Sequence, residues 1–245
     1  DKSYKTDNKQ INLIYISNFF SITLYRLFWM QFILPIYLIY FKVDTLFSPM
    51  NIMPIIVKLF KIKTILVVHS NLPWLFPNDM PGNKAKLFIQ KFIMNYSINF
   101  ADRIIVDSRT AKNELYNIFS KISNKIETIY LGAEGLLQKL QYKETIFIDN
   151  LDITNEEYFL TISSAVPYHC LIELIIAYNK ICENKNAIPK YLIISKKLDS
   201  NYFNKLKNII KNSKFSEKII LIEDLESKFL PEIYKNSNLY IFSSY

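Results

Sequence analysis

Glycine is scarce in this sequence, with only 3 among 245 residues. Glycine-rich loops such as G-x-G-x-x-G and G-x-x-x-x-G-K-[ST] let the backbone approach bound phosphates closely. Neither pattern occurs in the sequence. We therefore expect no nucleotide site that is built on a glycine-rich loop.

Cysteine and histidine are equally rare, with 2 of each. Cys170 and Cys182 are isolated and form no C-x-x-C pair, so they predict neither a disulfide framework nor a zinc site. The sequence also lacks an H-E-x-x-H motif and a G-x-S-x-G nucleophile elbow. We expect a reducing, cytoplasmic compartment, no metal and no enzymic nucleophile.

Long hydrophobic runs are absent as well. The most apolar segment, residues 27–41, is interrupted by Gln31 and Pro35 and is shorter than the ~18–20 residues of a membrane-spanning helix. We expect a buried helix there, or otherwise a helix on a membrane surface. The first residues, DKSYKTDNKQ, lack both a signal pattern and a starting Met, and the last residues look like part of a strand. We expect the chain to be a fragment.

The net charge is +8, because Lys and Arg together outnumber Asp and Glu by 30 to 22. Such a balance favours an anionic partner, either nucleotide phosphates, nucleic acid or an acidic membrane surface. Ordinary solvated lysines remain the alternative, since no run of lysines exceeds two. The aromatic residues follow core periodicity rather than a basic stripe, so we expect no nucleic acid as partner.

Short apolar runs alternate with helix-like segments along the chain. Residues 11–17 are predicted to form the first strand, and the continuous apolar run that ends at Val68 is typical of a central parallel strand. The alternation predicts an α/β fold of two Rossmann-like lobes. We expect a first lobe over residues 1–140, a polar linker over 141–157 and an incomplete second lobe over 158–245.

Polar residues follow directly after several of the predicted strands. Ligands of doubly wound folds bind outside the carboxyl ends of the strands, so these residues are candidates for a site. A histidine there can hydrogen-bond a hydroxyl or take a proton, and a lysine can stabilise a leaving phosphate. A structural histidine and solvated loop residues are the alternatives. The candidates are His69, Ser70 and Asn71 in the first lobe, and Ser164, His169, Ser195, Lys196 and Glu223 in the second.

Several stretches resemble, in order, the family-4 retaining glycosyltransferases, which have the GT-B fold. The most specific is FADRIIVDSRTAKNEL (100–115), which is similar to the family's A-D-x-[IV]-[IV]-x-x-S element. The others are VDTLFSPMNIMP (43–54), TILVVHSNLPWLFP (64–77), KIETIYLGAE (125–134), YFLTISSAVPYHCLIELIIAY (158–178) and FLPEIYKNSNLYIFSSY (229–245).

The resemblance implies a hexosyltransferase-like enzyme that moves a sugar from a nucleotide-sugar donor to a hydroxyl acceptor with retention. His69 would be the catalytic histidine on the acceptor side, with Ser70 and Asn71 binding the acceptor. The five candidates of the second lobe would bind the donor and its phosphates. The nucleotide sugar is a substrate, so no cofactor is implied. We expect a saccharide or lipid-linked saccharide acceptor, in surface polysaccharide or lipopolysaccharide synthesis, and peripheral contact with the inner membrane face.

The sequence also departs from that family. The positions of the family's donor-binding Arg and Lys are occupied by Ser163–Ser164 and His169–Cys170, and the motif E-x-[FG]-G-x-x-x-x-E does not occur. We therefore expect the fragment to be inactive alone. A degenerate, non-catalytic GT-B-like binding or scaffold protein is one alternative. An epimerase of the same fold is another, although the acidic and basic residues that it would need are not found.

Overall fold

A computed structural model of the chain describes residues 8–80, 84–132, 147–148, 151–185 and 187–244. The described residues form two compact units. One lies within Asp1–Leu75 and Lys84–Leu131, and the other lies within Phe76–Asn83 and Gly132–Tyr245. Each unit contains a parallel sheet with helices, so the predicted fold class is confirmed.

The first unit contains a four-stranded parallel sheet in the order β1-β2-β3-β4. Its strands are β1 (Thr45–Ser48), β2 (Lys63–Val68), β3 (Arg103–Val106) and β4 (Ile126–Thr128). The helices are α1 (Thr23–Phe28), α2 (Leu34–Tyr40), α3 (Leu72–Leu75), α4 (Lys84–Phe100) and α5 (Arg109–Ile118), with 3-10 turns at Asn18–Ser21, Ile55–Phe60 and Ser120–Lys125.

The central strand β2 is covered on both faces. Leu66 and Val68 are fully buried and Val67 nearly so, which explains why β2 is a continuous apolar run instead of an alternating one. β3 is followed by Ser108, whose Oγ accepts a hydrogen bond from the backbone N–H of Ala111 and so caps α5. The ends of β2 and β3 therefore place polar residues along the carboxyl edge of the first sheet.

The segment predicted as the first strand, residues 11–17, is not a strand. Its apolar side chains Ile11, Ile14, Tyr15 and Ile16 are exposed, and the segment pairs with no strand among the described residues. The prediction was wrong because a short apolar run has the same pattern whether it is buried in a sheet or left on a surface.

The apolar segment 27–41 is mostly helical, as predicted, but the expected burial is wrong, because only Pro35 and Leu38 in it are buried. α1 and α2 are joined by a π-helical turn, Trp29–Ile33, which ends just before Pro35. Pro35 has no N–H and its ring would clash with the carbonyl of a regular preceding turn, so the wider turn accommodates it. Among the residues that the structure describes, no helix has the length and hydropathy needed to cross a bilayer.

The second unit contains a four-stranded parallel sheet in the order β10-β7-β8-β9 and a separate antiparallel pair, β5-β6. The strands are β5 (Phe147–Ile148), β6 (Leu151–Asp152), β7 (Tyr158–Ser164), β8 (Lys190–Lys196), β9 (Ile219–Glu223) and β10 (Leu239–Tyr240). The helices are α6 (Leu171–Asn184), α7 (Ser200–Lys211) and α8 (Leu230–Asn236), with 3-10 turns at Pro167–His169, Ser216–Lys218 and Ser227–Phe229.

The second sheet has an apolar core on each face. Tyr191 and Ile193 belong to one cluster, which includes residues of α6 and α7, whereas Leu192 and Ile194 belong to the other, with Ile233 of α8. The described part of the predicted linker joins this second cluster through Ile148, Leu151 and Ile153, all of which are buried. Residues 133–146 and 149–150, which include part of the expected linker and its boundary at 140, lie outside the described residues.

Candidate functional site

His69 lies directly after β2, at the carboxyl edge of the first sheet. Its backbone N–H donates to Asn51 Oδ1 at 2.8 Å, and its ring Nε2 lies 3.0 Å from the carbonyl oxygen of Pro49. Ring Nδ1 lies 3.5 Å from Asp107 Oδ2, and 42% of the side chain is exposed. The loop after β1 therefore fixes the ring from one side, and Asp107 faces it from another.

These contacts select the protonation form of the His69 ring. Both the Pro49 carbonyl and the Asp107 carboxylate can only accept, but Pro49 is closer, at 3.0 Å against 3.5 Å, so we assign the proton of the neutral ring to Nε2, which donates to Pro49. Nδ1 is then left with a lone pair beside the Asp107 carboxylate. In this state Nδ1 can accept a hydrogen bond or a proton from a hydroxyl, and Asp107 would stabilise the resulting positive charge.

Ser70 and Asn71 have local contacts. Ser70 Oγ accepts from the backbone N–H of Leu72 at 3.2 Å, at the start of α3. Asn71 is buried, and its Nδ2 donates to the carbonyl of Ala111 at 3.3 Å and to Glu114 Oε2 at 3.2 Å. Its Oδ1 has no hydrogen-bond partner among the described residues. Asn71 thus anchors α5 to this edge of the sheet and leaves one buried acceptor unpaired.

The predicted residues of the second unit lie on a matching edge, at the carboxyl ends of β7, β8 and β9. The parallel register places Ser163 opposite Ser195, Ser164 opposite Lys196, and Ser195 opposite Glu223. Ser195 is buried and its Oγ has no partner in the described part of the chain, whereas Lys196 and Glu223 are exposed. The sheet itself therefore brings the predicted residues of β7, β8 and β9 together.

His169 joins this edge from the 3-10 turn that precedes α6. Its Nδ1 lies 2.7 Å from Ser163 Oγ and 2.9 Å from the carbonyl oxygen of Ser164. Because that carbonyl only accepts, the neutral ring carries its proton on Nδ1 and leaves Nε2 with a lone pair. Nε2 can then donate to a phosphate only when the ring is protonated.

The amino end of α6 begins with a strained N-cap residue, and one of its first backbone N–H groups is already hydrogen-bonded. Cys170 occupies its N-cap position at φ 51°, in the left-handed region that costs a non-glycine residue roughly 1 kcal/mol or more. The backbone N–H of Ile172 already donates to Tyr202 Oη at 3.2 Å. Burial raises the pKa of Tyr202 and of the Cys170 thiol, so both are held in their neutral forms. This supports the expectation that Cys170 is not a nucleophile.

Sequence reasoning missed several residues that shape the two edges. Asn51 and Pro49 contact His69 from the loop after β1, in which Asn51 has a left-handed backbone at φ 33°. Asp107 follows β3, whose Val106 is in register with Val68 of β2, so a parallel pairing of these strands was a usable signal. In the second unit, Ser243 Oγ donates to the carbonyl of His169 at 2.7 Å, and no local pattern indicated that contact.

Comparisons with known proteins support the fold. No family model and no curated protein matches the sequence. Among solved structures, a glycosyltransferase from Rickettsia africae ESF-5 is similar at 17% identity and a TM-score of 0.54, over 86% of this chain and 54% of that one. Anabaena Alr3699/HepE in complex with UDP-glucose is similar at 15% identity and a TM-score of 0.56, over 82% of this chain and 53% of that one.

A third solved structure, S. aureus MnaA with UDP, is similar at 12% identity and a TM-score of 0.50, over 94% of this chain and 59% of that one. A putative UDP-N-acetylglucosamine 2-epimerase from Listeria monocytogenes is also similar, at 15% identity and a TM-score of 0.50, over 86% of this chain and 55% of that one, so glycosyltransferase and epimerase structures share the fold. The chain has the GT-B type of fold, and it spans about half the length of the solved structures reported above.

Proposed function

We propose that this chain is part of a retaining, family-4-like glycosyltransferase that transfers a hexosyl group from a nucleotide sugar to a hydroxyl acceptor. The observation that carries the proposal is the arrangement of side chains around His69, at the carboxyl edge of the first sheet of a GT-B fold. There, a half-exposed imidazole is oriented by Pro49 and faces Asp107 at the carboxyl end of the central strand. Similarity to a structure that holds UDP-glucose supports a nucleotide sugar as donor.

On the acceptor side, His69 would act through Nδ1. Nε2 is engaged by Pro49, so Nδ1 is the nitrogen that would accept a hydrogen bond from the acceptor hydroxyl. The Asp107 carboxylate, at 3.5 Å, would stabilise the ring as it gains positive charge. Ser70 would add a polar contact to the acceptor, and the buried Asn71 would support the acceptor site from behind by holding α5. Retention by attack from the donor's own face needs no enzymic nucleophile, and no metal or cofactor is part of this proposal.

On the donor side, the carboxyl edge of the second sheet would hold the nucleotide sugar. Lys196 is exposed and is paired with Ser164 in the parallel register, so its ammonium group would face a phosphate. His169 would bind phosphate only as the imidazolium, because its neutral ring presents a lone pair at Nε2. Ser164 and Ser195 would donate hydroxyl hydrogen bonds, and Glu223 would accept from a sugar or ribose hydroxyl.

We also propose a cellular role, based on the resemblance to family-4 glycosyltransferases. A hydroxyl of a saccharide or a lipid-linked saccharide would be the acceptor, in the assembly of a surface polysaccharide or lipopolysaccharide. The nucleotide sugar would place the enzyme in the cytoplasm, peripherally on the inner face of the membrane. The degenerate binding protein is the second candidate, favoured by Ser164 and His169 where the family has cations.

The experiment is an incubation of the natural full-length protein with a panel of nucleotide sugars and saccharide acceptors, followed by NMR of the products. A glycoside with the anomeric configuration of the donor supports the proposal. Binding of nucleotide without any turnover would instead identify the degenerate protein. An epimerised nucleotide sugar, formed without transfer, would identify the third alternative, whose fold this chain shares.

A further inference from the structure

An apolar stripe runs along the exposed side of α1, the π-helical turn and α2. Its members recur at helical spacing, three or four residues apart, and each is more than one third exposed. They are Tyr25, Phe28, Phe32, Ile36 and Tyr40. The opposite side of the same helices packs on the core through Pro35 and Leu38, so the stripe is not required for that packing.

The stripe borders an open groove of ≈ 900 Å³ in the first unit. The groove is lined by Phe28 and Phe32 from the helices, by Ile55 and Ile56 from the 3-10 turn, and by Ile93 from α4. Its lining is apolar apart from the hydroxyl of Tyr25 and from Gln31, whose amide already bonds the backbone of Met53 and Ile55. The groove therefore offers few polar groups for recognition of a polar ligand.

Exposed aromatic and aliphatic side chains continue on the elements around the groove. Leu59 is 78% exposed in the 3-10 turn, and Phe88 is 70% exposed in α4. Isolated exposed apolar residues are normal on a soluble protein, but the groove is lined jointly by the helices, the 3-10 turn and α4. We call this surface the apolar face, defined by the stripe and the groove lining.

The charges around the apolar face are mainly positive, and the nearby Asp102 is paired with Lys58 of the 3-10 turn. Asp44 is the only acidic residue between Asn8 and Asn78, and α4 contains none. Exposed cations lie on the same elements or next to them, namely Arg26, Lys42, Lys61 and Lys84. A second copy of this face would bring like charges together, whereas an anionic lipid surface would complement both the charge and the apolar side chains.

We propose that the apolar face docks the first unit on an anionic bilayer surface, with Phe28 and Phe32 entering the boundary between headgroups and acyl chains. Aromatic rings are favourable at that depth, and Arg26, Lys42, Lys61 and Lys84 would meet the lipid phosphates. The proposal specifies which surface makes the peripheral contact. Membrane docking needs neither a donor nor an acceptor. Docking can therefore be disproved while glycosyl transfer is confirmed, and transfer can be disproved while docking is confirmed.

The test is co-sedimentation of the 245-residue chain with vesicles, without nucleotide sugar. Vesicles that mix phosphatidylglycerol with phosphatidylcholine should bind the chain at least about tenfold more tightly than pure phosphatidylcholine, and about 0.5 M salt should abolish the difference. The double variant F28S/F32S should lose most of the binding. K42Q/K61Q should lose the preference for anionic lipid.

Matched controls lie on the second unit. Ile176 and Ile181 are exposed apolar residues of α6, and Lys205 and Lys211 are exposed cations of α7. I176S/I181S and K205Q/K211Q should bind vesicles as the unaltered chain does, and circular dichroism checks that each variant is folded. Equal binding to both kinds of vesicle, no binding to either, or full binding by F28S/F32S would overturn the proposal. Concentration-dependent dimers that F28S/F32S abolishes would assign the face to a second copy instead.

Discussion

His69 Nε2 lies 3.0 Å from the carbonyl oxygen of Pro49, in the loop that follows β1. In His169 the other ring nitrogen faces a carbonyl, since its Nδ1 lies 2.9 Å from the carbonyl oxygen of Ser164. Each carbonyl accepts a hydrogen bond from the ring N–H that faces it, so the two rings present different nitrogens to a ligand. The chain has only 2 histidines, so each ring can be observed separately.

The first prediction concerns these tautomers. Above the pH at which both rings are neutral, ¹⁵N NMR should show His69 protonated at Nε2 and His169 protonated at Nδ1. The single variants H69A and H169A assign the two sets of signals. The same tautomer for both rings, or rapid averaging between tautomers in either one, would contradict the contacts to Pro49 and Ser164.

The second prediction concerns Asn51, whose Oδ1 accepts from the His69 backbone N–H at 2.8 Å. N51A should lower the free energy of unfolding by about 1–2 kcal/mol, because the acceptor is lost and alanine tolerates φ 33° less well than asparagine. N51D keeps an acceptor and should lose less than half as much. Urea unfolding measures both variants. An N51A chain as stable as the unaltered one would show that Asn51 does not hold this loop.

The third prediction concerns Asp102, which accepts from Lys58 Nζ at 2.7 Å and from the backbone N–H and hydroxyl of Thr64 at 2.8 and 3.0 Å. Partial burial raises the pKa of this carboxyl, but the hydrogen bonds from Lys58 and Thr64 outweigh it, and the pKa lies below its ordinary value. A lowered pKa means that the ionised carboxylate stabilises the fold above the pKa of the unfolded chain, and that this stability disappears as the pH falls.

Replacement of Asp102 by Asn should therefore cost about 1 kcal/mol at neutral pH, a value reduced by the 45% exposure of the side chain. The difference from the unaltered chain should shrink as the pH falls through the pKa of Asp102. E127Q is the control, because Glu127 lies 3.9 Å from Arg103 in an exposed pair and should change stability by less than about 0.5 kcal/mol. A difference for D102N that does not vary with pH would rule out the ionised form as its cause.

The fourth prediction concerns Ser195, whose buried Oγ has no partner among the described residues. S195A removes an unpaired hydroxyl, so the free energy of unfolding should stay equal or rise by up to about 1 kcal/mol. If Ser195 holds the donor, the same variant should weaken binding of a nucleotide sugar several-fold in calorimetry. Loss of stability would point to a structural partner, and unchanged binding would remove Ser195 from the donor site.

The fold was largely predictable from the residues that make it regular. The run that ends at Val68 is typical of a strand covered on both faces, and Ser108 marks the start of α5. Once β2 and β3 are taken as parallel neighbours, His69 and Asp107 follow at the same edge, since Val68 and Val106 are in register. The candidate residues after β7, β8 and β9 follow from the same rule.

Other features depended on contacts that leave no periodic pattern. Residues 11–17 have the composition of a strand, but their apolar side chains remain exposed. The contacts of Pro49 and Asn51 with His69 come from a loop in which Asn51 is left-handed. At the end of the chain, where the last residues look like part of a strand, the strand is limited to Leu239–Tyr240, and Ser243 bonds the backbone of His169.

The most direct test of the account is kcat/KM for glycosyl transfer by the natural full-length protein and by its H69A variant. The account predicts transfer with retention by the unaltered protein and a loss of roughly 100-fold in H69A, because the acceptor hydroxyl loses its hydrogen-bonding partner at Nδ1. Circular dichroism checks that H69A is folded. Transfer that is undiminished in folded H69A would contradict the role of His69, and the absence of transfer from every nucleotide sugar would contradict the proposed function.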